Sequence, residues 1–171
     1  MTARTLAGRG GMWVPLRVVM GVGFLMHGLA KWQRGPEHFA ALLGQIGAPA
    51  PGVTAWVVTL LETFGGVALI VGAFVAVVSV PLIVSMVVAM WTVQGRYGFS
   101  SVNTIGLTAS GPVFGPPGYE INLLYIAGLV AVGFSGAGAW SVDGWLGKRK
   151  GARGKMNGAE GRLGGAAEGG G

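Results

Sequence analysis

Glu62 stands inside a long apolar stretch, Val53 to Val93, otherwise broken only by a few hydroxyl groups. A charge at mid-bilayer costs about 2.5–3.5 kcal/mol on insertion scales, so a carboxylate in such a place is paired, protonated or used. Gly65 and Gly66 follow one helical turn on, and Leu69, Gly72 and Ala73 continue the same face. That face is too small and polar to prefer lipid, so it is expected to turn towards neighbouring helices. There Glu62 can carry a proton or hold a polar head group. The plainer alternative is a structural carboxylate that ties a bundle together.

The preceding apolar segment carries Arg17, His27 and Lys31. At about 100° per residue, Arg17 and Lys31 differ by roughly 40° and His27 falls within about 80° of Arg17, so all three share one broad face. Gly21, Phe24 and Gly28 lie on it too. Each of the two outermost cations, taken alone, also reads as a side chain snorkelling to an interface. Imidazole can exchange a proton near neutrality; a structural hydrogen bond is the bland reading of His27. Glu120, with Tyr119 and Asn122, opens the last apolar segment. A carboxylate at a helix N-terminus is favoured by the dipole; the sharper reading is a lid over a bundle mouth. His27 and Glu62 are thus the candidates for catalytic proton exchange, and Arg17, Lys31 and Glu120 for binding a polar group in the core.

Other chemistry lacks its residues. With no cysteine, thiolate metal sites, iron–sulfur clusters and thiol redox chemistry are excluded. Haem in a bundle usually needs two buried axial ligands, and only His27 is deep; His38 lies in a polar loop. No dinucleotide fingerprint, P-loop or HExxH motif is present. The chain is therefore expected to bring no metal and no covalently bound cofactor. Any electron carrier is a lipid-soluble quinone or belongs to a partner.

The elements that position these residues follow from hydropathy. Half the chain is hydrophobic (51%) and only 11% is charged, far below the roughly 25% of soluble domains. A span needs about 20 mostly apolar residues. The spans are predicted at about 13–31, 53–71, 74–93 and 121–139. Val53 to Val93, about 41 residues, is twice one span; Gly72 is the natural break, because glycine ends helices at positive φ. Pro81 then falls inside the third helix and is expected to kink it. Between the first two spans, Phe39, Leu42, Leu43 and Ile46 are spaced for one face of a short surface helix. Residues 94–120 read as a loop.

The net charge of +6 comes from basic residues at the ends of apolar segments, which marks topology rather than a nucleic-acid surface. Arg4, Arg9 and Arg17 lie before or early in the first span, and Lys148, Arg149, Lys150, Arg153 and Lys155 follow the last, whereas the connecting loops are poorer in Lys and Arg. Both termini are therefore expected in the cytoplasm, which requires an even number of spans. Residues 1–12 form a short cytoplasmic N-terminus, 13–146 an all-α four-transmembrane-helix bundle, and 147–171 a basic, then Gly/Ala-rich, tail of disordered composition.

Leu16-Arg17-Val18-Val19-Met20-Gly21, followed by Phe24-Leu25-Met26-His27-Gly28-Leu29-Ala30-Lys31, resembles the first span of the DoxX family. Glu62-Thr63-Phe64-Gly65-Gly66 is similar to that family's second span, and Gly118 to Tyr125 with Gly136 to Asp143 to its fourth. The third span departs most, and a basic residue often found in the turn before it is absent. The resemblance implies a multi-pass protein of the bacterial cytoplasmic (inner) membrane. It also implies a membrane subunit or anchor of a quinone-linked oxidoreductase or oxidative-stress complex, with soluble redox subunits as partners and a homo-oligomer as an option. In that role His27 and Lys31 contact a quinone carbonyl, Glu62 exchanges the proton, and Phe24, Phe64 and Trp56 supply an apolar slot. Two other roles compete: a small-solute transporter or channel lined by the Glu62/Gly65/Gly66 face, and a structural membrane tether for a soluble enzyme.

Overall fold

The computed structural model describes residues 11–147 apart from residue 139, together with Arg149. The predicted cytoplasmic N-terminus up to residue 10 and nearly all of the predicted tail lie outside the described residues.

Helix α1 runs Val14–Arg34, with Pro15 in its first turn where the missing N–H costs nothing. A short helix α2, Pro36–Gln45, follows across Gly35. Helix α3 spans Pro51–Val71 and ends at Gly72, whose φ of 71° is the left-handed conformation expected of the break. Helix α4, Val75–Ala89, contains Pro81 and continues through a π turn, Met90–Gln94, and a single 3₁₀ turn, Gly95–Tyr97. Helix α5 is Glu120–Ser135.

Three of these helices, Val14–Arg34, Pro51–Val71 and the composite Val75–Tyr97, are long and apolar enough to cross a membrane. The fourth, α5, has 16 residues, about 24 Å at 1.5 Å per residue against a hydrocarbon core of about 30 Å. Their outward faces are apolar: Val19, Met26, Val57, Phe64, Val77, Val84 and Phe134 are all exposed. Water would oppose such a surface and hydrocarbon accept it, because every helical backbone group is already bonded.

The interior is built from Met20, Phe24, Leu69, Val75, Leu82, Leu129 and Val132. The closest helix pair is α1 against α3, and glycine makes it so. A β-carbon on Gly66 would come within 2.5 Å of the Leu25 backbone nitrogen, and one on Gly21 within 2.8 Å of Gly66 O. Backbone meets backbone there, as small residues permit in membranes.

Residues 94–120 are more ordered than a plain loop. Strands β1, Thr104–Thr108, and β2, Gly111–Phe114, pair antiparallel about Ala109 and Ser110, with an irregularity between Thr104 and Gly106. Gly98, Phe99 and Ser100 accept backbone bonds from Tyr119, Glu120 and Gly118, which ties the start of this segment to its end. The amphipathic piece is α2, whose Leu43 is buried and which packs on α3.

Candidate functional site

The close contact of α1 and α3 decides where their charges meet. Gly28 faces Thr63, with room for no β-carbon: the position lies 2.7 Å from Thr63 N. One turn beyond Gly28 and next to Thr63, the Lys31 ammonium donates to the Glu62 carboxylate. Side-chain exposure is 19% for Lys31 and 6% for Glu62, so the pair is largely withdrawn from solvent and lipid. The Phe39 ring of α2 lies 5.0 Å from Lys31 Nζ, a cation–π contact. A charge pair in so apolar a place is held only by good geometry, since each ion's desolvation costs several kcal/mol.

This pair is part of the wall of a cavity of about 400 Å³, within the usual range for small-molecule sites. Phe24 and His27 line it from α1, Met86 and Ala89 from α4, Asn122 and Tyr125 from α5, and Ser101 and Gly118 from the connecting segment. The Tyr125 ring meets Phe24 edge-on at 5.1 Å between centroids, and its hydroxyl rests against Gly23. Asn122, buried within α5, donates to Met86 O at 3.4 Å. The π turn brings Gln94 to the cavity, and its Oε1 is buried without a hydrogen-bond partner among the described residues. Such wide turns recur at functional sites because they redirect a side chain that a regular helix would turn elsewhere.

The predicted residues separate into two groups. His27, Lys31 and Glu62 share this cavity. Glu120 is not among the lining residues; it accepts bonds from Ser101 N at 2.9 Å and Ser101 Oγ at 2.6 Å. The Ser101 hydroxyl bond foremost, and then its N–H, hold the Glu120 carboxyl below the usual carboxylate range. Ser101 itself lines the cavity, so Glu120 fastens a piece of the rim.

Arg17 is elsewhere, 14 residues or about 21 Å back along α1. Its snorkelling reading does not hold: the side chain is only 3% exposed. The guanidinium donates to Ala137 O, to Trp140 O at 2.8 Å and to Ile70 O at 3.5 Å. These carbonyls follow or end helices α5 and α3, where acceptors have no helical partner and a cation is favoured. Beside it, Asp143 accepts the backbone N–H groups of Phe74 at 2.9 Å and Val75 at 3.1 Å, closing the N-terminus of α4.

The residues expected to form an apolar slot are not together. Phe24 lines the cavity, but Phe64 is exposed on the outside of α3, and Trp56 packs edge-on against Trp32 at 5.2 Å. The face offered as a solute path is filled: Gly65 meets Leu82 and Val78, and Gly66 meets Leu25. Gln94 and Tyr125 join the site beyond the polar residues singled out from sequence, and Asn122, named there beside Glu120, lines it too. Asn122 alone carried a signal, an amide just inside an apolar segment.

Apolar outward faces, three spanning-length helices and a polar pair enclosed between them define a helical multi-pass membrane protein. The DoxX family model matches residues 12–95, the stretch that holds α1 to α4, Lys31 and Glu62. A protein of Bacillus subtilis (strain 168) that bears the name "Putative oxidoreductase CatD" is 35% identical over 84 residues, 49% of this chain and 60% of that protein. No solved structure matches the chain.

Proposed function

We propose that this chain is a four-span protein of the bacterial cytoplasmic membrane, with both termini inside, that binds a quinone ring for a linked oxidoreductase. The observation that carries the reading is the buried Lys31–Glu62 pair in the wall of an aromatic-edged cavity. A quinone needs an apolar slot and a hydrogen-bonding group at each oxygen. Phe24 and Tyr125 supply edges of the slot, Lys31 a donor at one side, and Asn122 and Gln94 amide groups from other helices. The orphaned Gln94 Oε1 suits a ligand that presents a hydroxyl, as the reduced form does, because a buried acceptor left unpaired is costly. When bound, the quinone supplies the two-electron redox couple.

The chain's own residues bind, orient and hold a proton. Lys31 fixes one ring oxygen, Glu62 exchanges a proton through that ammonium, and His27, exposed at the cavity edge, links the pair to solvent. Electrons come from a soluble partner subunit; redox chemistry as such is in keeping with the word oxidoreductase in the name of the Bacillus relative. The basic residues before and after the spans support the orientation. In the four-span reading α5 is the shortest span and needs the chain beyond Ser135 or local bilayer thinning to complete its crossing.

Purified protein is expected to gain thermal stability from short-chain ubiquinone or menaquinone analogues, and Glu62→Gln to lose that gain. The reading fails if neither quinone class shifts the wild type.

A further inference from the structure

A second cavity lies on the other side of Lys31, and its chemistry differs from the first. It measures about 360 Å³; His27, Lys31, Arg34 and His38 line it around the turn at Gly35, and Ala30, Phe39 and Leu42 form its apolar side. Spacings of four, three and four residues bring these side chains to one side of α1 and the start of α2. Lys31 shares its charge with Glu62. Arg34 forms no ion pair among the described residues and is exposed. The acidic neighbour at this turn is Glu37, whose Oε2 lies 3.0 Å from where a β-carbon on Gly35 would stand.

This basic cavity does not end in solvent alone. Lys31 and Phe39 also line a mostly apolar cleft of about 530 Å³ between α3 and α4, which Glu62 borders beside Lys31 and which runs past Val57, Leu61, Val84 and Val88. A basic head site joined through two shared residues to a lipid-facing apolar cleft is complementary to one kind of molecule. We propose that this chain holds an anionic phospholipid here, its phosphate at Arg34 and His38 and an acyl chain along the valine-lined cleft. The ordering of charge supports it: the cations cluster at the end of α1, where a span meets the interface, and a basic group near an anionic headgroup contributes to binding there. Lys31 lines this site and bonds Glu62, so lipid binding here bears on the ion pair. The site itself stands whether or not the first cavity binds a quinone.

The test uses the full-length protein in nonionic detergent, titrated with dioctanoyl phosphatidylglycerol, dioctanoyl phosphatidylcholine or inorganic phosphate. Binding is followed by thermal shift and by lipid retention in native mass spectrometry. Phosphatidylglycerol is expected to bind and stabilise more than phosphatidylcholine, and Arg34→Gln to weaken its binding about fivefold, in line with one interfacial charge. Arg34→Gln with His38→Gln is expected to bring the two lipids level. Leu61→Trp, which fills the cleft, should lower the affinity for both lipids and leave the anionic preference in place. Equal binding of the two lipids by wild type, or undiminished preference in the double variant, overturns the proposal. An equal response to inorganic phosphate overturns the lipid in favour of a free anion. Loss of the quinone response with this preference intact, or the reverse, separates the two sites.

Discussion

The molecule buries charge at both ends of its bundle, and the two ends treat it differently. At the terminal end, Arg17 is sealed among backbone carbonyls from the ends of α3 and α5, while Asp143 closes the start of α4. At the loop end, Lys31 and Glu62 bond each other and face a cavity. A guanidinium presents five donors in a rigid fork, so it suits several fixed carbonyls, although Arg17 Nε is itself buried without a partner among the described residues. An ammonium–carboxylate pair can exchange partners and protons. Burial alone therefore does not mark a site; the space beside the buried charge does.

Mutations can break or sharpen this contrast. The largest effect is expected at the loop end. Glu62→Leu leaves the Lys31 ammonium largely buried and unpaired, which costs about 3–5 kcal/mol, read as a fall in the unfolding midpoint. Lys31→Met combined with Glu62→Leu is expected to recover most of that stability, since an apolar replacement of both partners is often neutral, and still not respond to quinone. A double variant as unstable as the single would make the pair a structural clamp. Next comes Arg17→Leu, which strands three carbonyl acceptors and is expected to cost about 3 kcal/mol while leaving the quinone response unchanged. If that response vanished in a variant that still folds, the two ends would not be independent.

Smaller effects should follow at the helix caps. Asp143→Ala removes the acceptor for Phe74 and Val75 N–H, a loss of about 1 kcal/mol typical of an N-cap. Its signature is faster amide exchange at the start of α4 alone. The smallest effect concerns Glu120. Its carboxyl is held below its ordinary value by Ser101, so the contribution is present above the unfolded-state value of about 4.3 and is lost as pH falls through the lower folded-state value. Acidification below about pH 4 should loosen residues 98–101 in hydrogen exchange, and Glu120→Gln should remove that pH dependence.

Much of the frame was legible because it is local. The break at Gly72 follows from glycine's access to positive φ, and α2 from the spacing of Phe39, Leu42 and Leu43. Glu62 beside a glycine pair pointed inward, but Arg17, His27 and Lys31 share one broad face of α1, so which of them meets Glu62 was open until the helices were packed. Other features depend on groups that every residue carries. Arg17 is bound by backbone carbonyls, so no side-chain pattern announces it. Asp143 caps a helix 68 and 69 residues away. The β1–β2 hairpin sits in a stretch where Gly106, Pro112 and Gly115 interrupt the alternation of apolar residues. The π turn that redirects Gln94 spans Met90–Gln94 with no glycine or proline inside it, and Gly95 directly after it marks a helix end as readily as a wide turn. Phe64 and Trp56 were misplaced for a related reason: aromatic type says nothing about which side of α3 faces lipid.

The most direct test is photolabelling of the intact protein in membranes with an azidoquinone, followed by peptide mapping. Adducts are predicted at the loop-end cavity, on Phe24, Tyr125 or Asn122, and are predicted to disappear in Lys31→Met/Glu62→Leu but not in Arg17→Leu. Adducts beside Arg17 and Asp143, or labelling indifferent to the Lys31–Glu62 pair, would contradict the account.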